Sequence, residues 1–260
     1  MKSSSPWAWI PTLYFAQGLP YVAVMTISVI MYKRLDISNA ELAFYTGWLN
    51  LPWVIKPLWS PFIDLSKTKR WWITWMQLLI GSGLAGIAFT IPTEHFFQLT
   101  LAVFWLLAFG SATHDIAADG FYMLGLSSHE QALFVGIRST FYRIATIAGQ
   151  GLLIMLAGYL EKKTGNIPFS WSITFMVLAG LFLGLWAYHN FILPRPQSDK
   201  AACHVSSATL MHEFWATFVS FFRKKQAGIA ILFMLLYRLP EAQLAKMSIP
   251  FLVDPISEGG

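Results

Sequence analysis

The sequence predicts an all-α, polytopic membrane protein: a six-helix N-terminal bundle, a polar linker and one further membrane helix. Three observations predict it. Hydrophobic residues fill 56% of the 260 positions and charged residues only 12%, against about 25% charged in an ordinary soluble domain. Apolar runs of roughly 20 residues, the length that crosses a bilayer, recur along the chain. The 12 Trp and 21 Phe suit interfacial belts and lipid-facing helix surfaces.

The first run covers about Trp9 to Tyr32 and ends at Lys33-Arg34-Leu35-Asp36. It is too long for the apolar region of a signal peptide and has no small-residue cleavage site, so it reads as a retained helix. Pro20 lies inside it, which neighbouring helices make tolerable. The second run, Glu41 to Ile63, reads as one helix with Lys56 near its middle, and a short basic loop from Asp64 to Arg70 follows. The third covers Trp71 to Ile91, and the small residues of Gly81-Ser82-Gly83-Leu84-Ala85-Gly86 let another helix approach closely. The fourth runs from Phe96 to Leu124, the fifth from Ala132 to Leu160 and the sixth from Ser170 to Phe191.

The composition then changes. Residues 1–193 form the predicted bundle, and residues 194–226 form a linker that opens on Pro194-Arg195-Pro196. Within the linker, Thr209 to Phe222 sets Leu210, Phe214, Trp215 and Phe218 at helical spacing ahead of Arg223-Lys224-Lys225. That pattern predicts an amphipathic helix lying in the membrane interface. Residues 227–260 hold a seventh apolar run, Ala227 to Val253, which echoes the first: Phe15-Ala16-Gln17-Gly18-Leu19-Pro20 aligns with Leu235-Leu236-Tyr237-Arg238-Leu239-Pro240. A first helix repeated after six spans is the mark of a two-bundle transporter built from parallel repeats. The sequence stops shortly after this run, so a truncated chain is expected.

Lysine and arginine are denser in the segments that share a side with the N-terminus, including Lys67, Lys69, Arg70, Arg195, Arg223, Lys224 and Lys225, than in the opposite loops, which hold Lys33, Arg34, Lys162 and Lys163. This bias predicts a cytoplasmic N-terminus in an inner membrane. The net charge of +5 belongs to these short tracts, so lipid rather than nucleic acid is the expected partner. A single cysteine, Cys203, excludes an internal disulfide.

The chemistry concentrates in the fourth and fifth runs, which carry His114, Asp115 and Asp119, then Arg138 and Arg143. Ionisable residues inside a span are costly and mark a functional site by default. Asp115 and Asp119 share one helix face. Counted at 1.5 Å per residue, Asp119 lies roughly 8 Å and Asp115 roughly 14 Å in from Leu124, while Arg138 lies roughly 10 Å and Arg143 roughly 18 Å in from Gln131. These depths predict the pairs Asp119–Arg138 and Asp115–Arg143, for proton coupling or gating. Tyr14, Gln17, Lys56, His114, Arg238 and Glu241 are the candidate substrate contacts. The alternatives are an inactive half-transporter fragment and, from a different class, a metal-dependent membrane enzyme with His114, Asp115 and Asp119 as ligands. Against the enzyme, adjacent helical residues point about 100° apart, so neither a metal nor a cofactor is expected, and no catalytic residue is assigned.

Six spans, a basic loop after the second (Asp64, Lys67, Lys69 and Arg70), a linker and a restarting repeat resemble the major facilitator superfamily. Three segments carry a closer resemblance, to AmpG-type muropeptide permeases and the related acetyl-CoA transporters: Tyr14 to Pro20, Lys56-Pro57-Leu58-Trp59-Ser60-Pro61-Phe62-Ile63-Asp64, and Ala112-Thr113-His114-Asp115-Ile116-Ala117-Ala118-Asp119. Where that family commonly has Gln before the first Asp, this chain has His114. The resemblance implies a proton-driven importer of cell-wall fragments or a related small solute, monomeric when full length.

Overall fold

The computed structural model describes residues 5–200 and scattered positions between His212 and Tyr237. The chain divides into two units, Met1–His204 and Val205–Gly260. The predicted interfacial helix and seventh span lie largely outside the described residues, and Arg238 and Glu241 lie wholly outside them.

The first unit is all helix among its described residues. Five helices are long and apolar enough to cross a membrane: Pro6–Arg34, Lys69–Thr90, Phe96–Gly125, Ser128–Thr164 and Ile167–Ile192. The first is α1, Pro6–Val22, continued through a π-helical turn at Ala23–Ile27 into α2, Ser28–Arg34. In the π turn the Ser28 N–H reaches back to the Ala23 carbonyl.

The second predicted crossing is not one helix. It is α3 (Asn39–Gly47), a 3-10 turn (Trp48–Asn50), α4 (Leu51–Ile55), a second 3-10 turn (Lys56–Leu58) and α5 (Ser60–Ser66). Pro52, Pro57 and Pro61 each stand in the first two positions of one of these pieces. Proline fits a helix start, where no N–H is needed, and cannot continue a helix from behind. Three prolines in ten residues therefore segment the span. Trp59 ties the segments to the bundle, donating from its indole N–H to Thr113 Oγ1 at 3.2 Å.

The remaining spans are continuous: α6 (Lys69–Thr90), α7 (Phe96–Gly125), α8 (Ser128–Thr164) and α9 (Ile167–Ile192). Lys69 and Arg70, expected in a loop, form the first turn of α6. Its N-terminus is satisfied twice, by Thr68 Oγ1, which accepts from Trp71 N–H, and by the linker residue Asp199. The Asp199 carboxylate accepts from the N–H groups of Lys69 at 2.7 Å and Arg70 at 3.0 Å. A carboxylate at a helix N-terminus is favoured both by the free N–H groups and by the helix dipole. α8 opens with a capping box between Ser127 and Glu130.

α6 packs between α7 and α9, and α1 packs against α8, α7 and α9. The small residues foreseen on α6 explain its position. A Cβ on Gly81 would sit 2.7 Å from the Leu183 side chain of α9, and one on Gly83 would sit 2.7 Å from Leu107 of α7. Gly18 does the same for α1, where a Cβ would lie 2.8 Å from the Tyr142 carbonyl oxygen and 2.9 Å from Ala145 Cβ on α8. Backbone cannot yield as a side-chain tip can. Replacing Gly18 by Val is therefore expected to cost about 1–3 kcal/mol by overpacking, read as a lower unfolding temperature in detergent. Unchanged stability would mean that α1 and α8 do not meet at Gly18.

Candidate functional site

The α1 and α7 helices build the site in two layers, one helical turn apart. In the outer layer, Tyr14 of α1 donates its hydroxyl to Asp119 Oδ1 of α7 at 3.1 Å. Arg138 of α8 joins both, with Nη1 3.1 Å from the Tyr14 oxygen and 3.3 Å from Asp119 Oδ1. Its guanidinium also lies over two rings, 5.2 Å from the Tyr14 centroid and 5.0 Å from that of Tyr122, in reach of cation–π attraction. Tyr122 is held in turn by donating to the Gln131 carbonyl. The predicted Asp119–Arg138 pair is present.

The inner layer lies one turn further along both helices. Asp115 is four residues before Asp119 on α7, and Gln17 is three residues after Tyr14 on α1. The Gln17 amide lies beside the Asp115 carboxyl. The cation is Lys56, whose Nζ stands 3.8 Å from Asp115 Oδ2. This corrects the predicted Asp115–Arg143 pair: Arg143 is exposed on α8 and forms no ion pair among the described residues. The depth count failed because it weighed only the two cations of α8. The proline-broken segment turns Lys56 toward α7 instead.

The two layers differ in what they leave unsatisfied. At the outer layer every partner is engaged. At the inner layer Asp115 Oδ1 and Gln17 Oε1 are buried with no hydrogen-bond partner among the described residues, as is Ser111 Oγ one turn back on α7. A buried acceptor without a donor is expensive, so the inner layer awaits a donor or a charge.

His114 does not join this group. It projects from the other side of α7 and is fully buried, its Nε2 3.0 Å from Gln77 Nε2 on α6. His114 and Asp115 therefore diverge, and no group of three or more His, Cys, Asp or Glu able to hold a metal exists among the described residues. Of the basic-loop residues, Lys69 pairs with Asp64, and Arg70 donates to the Asn190 carbonyl at 2.5 Å and the Leu193 carbonyl at 3.3 Å. Lys67 is exposed. The sequence reading passed over Asp199, Gln77 and His189. The signal for the last two is an amide and an imidazole, each set inside an apolar run.

A family model matches residues 15–243, which include every member of both layers except Tyr14. The chain belongs to the BT1 family. It is 25% identical over 247 residues to the anhydromuropeptide permease of Escherichia coli K12, covering 93% of this chain and 47% of that protein. It is 24% identical over 251 residues to the putative transporter AmpG 4 of Rickettsia conorii, covering 93% and 58%. An uncharacterized protein of Haemophilus influenzae is 29% identical over 250 residues, covering 92% and 55%. The chain thus spans about half the length of these curated relatives. The likeness to AmpG-type permeases seen in Tyr14–Pro20, Lys56–Asp64 and Ala112–Asp119 agrees with these matches.

The outer pair is solvent-accessible, with side chains 31% exposed for Arg138 and 47% for Asp119. A double-mutant cycle with Asp119→Asn and Arg138→Gln should give a coupling of about 1 kcal/mol or less, measured by unfolding in mixed micelles. A coupling several times larger would place the pair in a drier setting than these exposures allow.

Proposed function

We propose that the chain is the N-terminal bundle of a proton-coupled importer of anhydro-muropeptides or a related anionic small solute, with its N-terminus in the cytoplasm of the cell whose inner membrane it crosses. The observation that carries this reading is the unsatisfied inner layer. With Asp115 ionised, the carboxylate holds Lys56, and two neighbouring acceptors, Asp115 Oδ1 and Gln17 Oε1, face no donor. A proton on Asp115 supplies the missing donor, which Gln17 Oε1 can accept. It also cancels the charge that holds the Lys56 ammonium.

Coupling follows from that exchange. Once Asp115 is neutral, the ammonium of Lys56, whose side chain is 37% exposed, has lost its carboxylate partner, and a carboxylate of the solute replaces it. Proton and solute then load together, since either one alone leaves an uncompensated charge or an unfilled acceptor. Release of the proton returns Lys56 to Asp115 and expels the solute. Asp119, Arg138 and Tyr14 form the gate at one end of this path, and Arg143, exposed on α8, is a second cation available to the solute. The basic-end cluster of Asp64, Lys69 and Arg70 fastens the bundle at the linker side. The likeness to the anhydromuropeptide permease of Escherichia coli supports the muropeptide assignment, and the carboxylates of such peptides match the Lys56 chemistry.

In the full-length transporter reconstituted in liposomes, Asp115→Asn should abolish proton-driven uptake of labelled anhydro-muropeptide while leaving expression and folding intact. Lys56→Gln should raise KM for the solute by roughly tenfold or more, the loss of one charge-assisted contact of about 1.5–3 kcal/mol. Proton-driven uptake at the normal rate by the Asp115→Asn protein would end the coupling assignment.

A further inference from the structure

Four helices of the bundle meet in a buried hydrogen-bond chain that no part of the coupling scheme uses. His114 Nε2 of α7 is 3.0 Å from Gln77 Nε2 of α6. Gln77 Oε1 is 3.0 Å from His189 Nδ1 of α9, and His189 Nε2 is 3.0 Å from Thr12 Oγ1 of α1. Thr12 in turn lies 3.2 Å from the Trp9 carbonyl oxygen. Gln77 and His189 are 0% exposed and His114 1%.

The chain is complete with both imidazoles neutral, and in two proton orders. In one, Thr12 donates to His189 Nε2, His189 Nδ1–H donates to Gln77 Oε1, and Gln77 Nε2–H donates to His114 Nε2. Turning the Gln77 amide over reverses every step: His114 Nε2–H donates to the amide oxygen, the amide N–H donates to His189 Nδ1, and His189 Nε2–H donates to Thr12, which then donates to the Trp9 carbonyl. The amide orientation and the tautomers are assignments of the network, and both assignments satisfy it. Neither order needs a buried charge, and each makes all three contacts of the chain.

Its position gives it a purpose. His114 precedes Asp115, and neighbouring side chains on a helix point about 100° apart. Fixing His114 against α6 therefore sets the rotation of α7 about its axis, and that rotation decides whether Asp115 meets Gln17 and Lys56. We propose that His114, Gln77 and His189 are positioning residues for the coupling carboxylate. Because the chain closes without any charge, it holds α7 in register whether Asp115 is protonated or ionised. This rests on the reading of Asp115 as the coupling group, but the geometry it asserts is testable without transport.

The test is the rate at which a hydrophobic carbodiimide modifies Asp115, followed by mass spectrometry on this chain in lipid nanodiscs. His189→Leu is the decisive variant, since α9 gives no side chain to either layer of the site. It and His114→Ala should each change the Asp115 rate by about tenfold or more, on the scale that an ångström of misplacement has at a reacting group. His114→Gln, which keeps a polar atom near the Nε2 position, should restore the normal rate. A chain that only stabilises the bundle would lower the unfolding temperature of His189→Leu and leave the Asp115 rate unchanged. That outcome overturns the proposal, as does failure of His114→Gln to rescue; if His114→Ala does not fold, His189→Leu and His114→Gln decide. In the full-length transporter, the same variants should lower the maximal uptake rate with little change in KM. Loss of Asp115 positioning alongside normal uptake by Asp115→Asn would refute the coupling scheme and leave the positioning role standing.

Discussion

A carboxylate inside an apolar bundle must have a cation or a donor within reach, and that constraint organises this molecule around α7. The helix carries two such groups on one face, and the bundle answers each differently. Asp119 receives a phenol and a guanidinium that itself lies over two aromatic faces. Asp115 receives a single ammonium at 3.8 Å and a neighbouring amide that leaves its own oxygen without a donor. One layer is saturated and the other is deliberately short of a partner.

The backbone contacts make that difference affordable. Gly18 lets α1 and α8 touch, while Gly81 and Gly83 let α6 receive α9 and α7. Without a hydrophobic force between helices in lipid, close packing of this kind is a main source of association. The same closeness brings side chains from two neighbouring helices, α1 and α8, to Asp119. It also brings His114 of α7 against Gln77 of α6.

Much of this was legible in the sequence, because membrane helices announce themselves by length and apolarity. The spans at Phe96 and Ile167 follow directly from composition, and the small-residue run on α6 correctly signalled close contact. Asp119 and Arg138 were paired by counting residues along two antiparallel helices, since a straight helix converts sequence distance into depth. That conversion breaks down wherever the backbone is not a straight helix. Lys56 sits in a segment cut by Pro52, Pro57 and Pro61, so no count along it predicts where its ammonium goes. The prolines were visible, but their joint effect on a whole span was not. Gln77 and His189 were visible too. Their meeting depends on α9 being the helix that packs against α6, and the small residues of α6 signal a close approach without naming the neighbour.

The segmented span has a mechanical consequence. In an unbroken helix each residue is bound to its neighbours four positions away, so a side chain near the middle shifts only when the rod tilts or slides as a whole. The segment from Leu51 to Ser66 is made of pieces five, three and seven residues long, joined where the ladder of hydrogen bonds is interrupted. Each joint is a point of compliance. The ammonium of Lys56 rides on the shortest piece, between two joints, while the indole of Trp59 pins the next one to α7. The first unit thus combines a stiff frame with one soft strut, and the Lys56 ammonium sits on the strut.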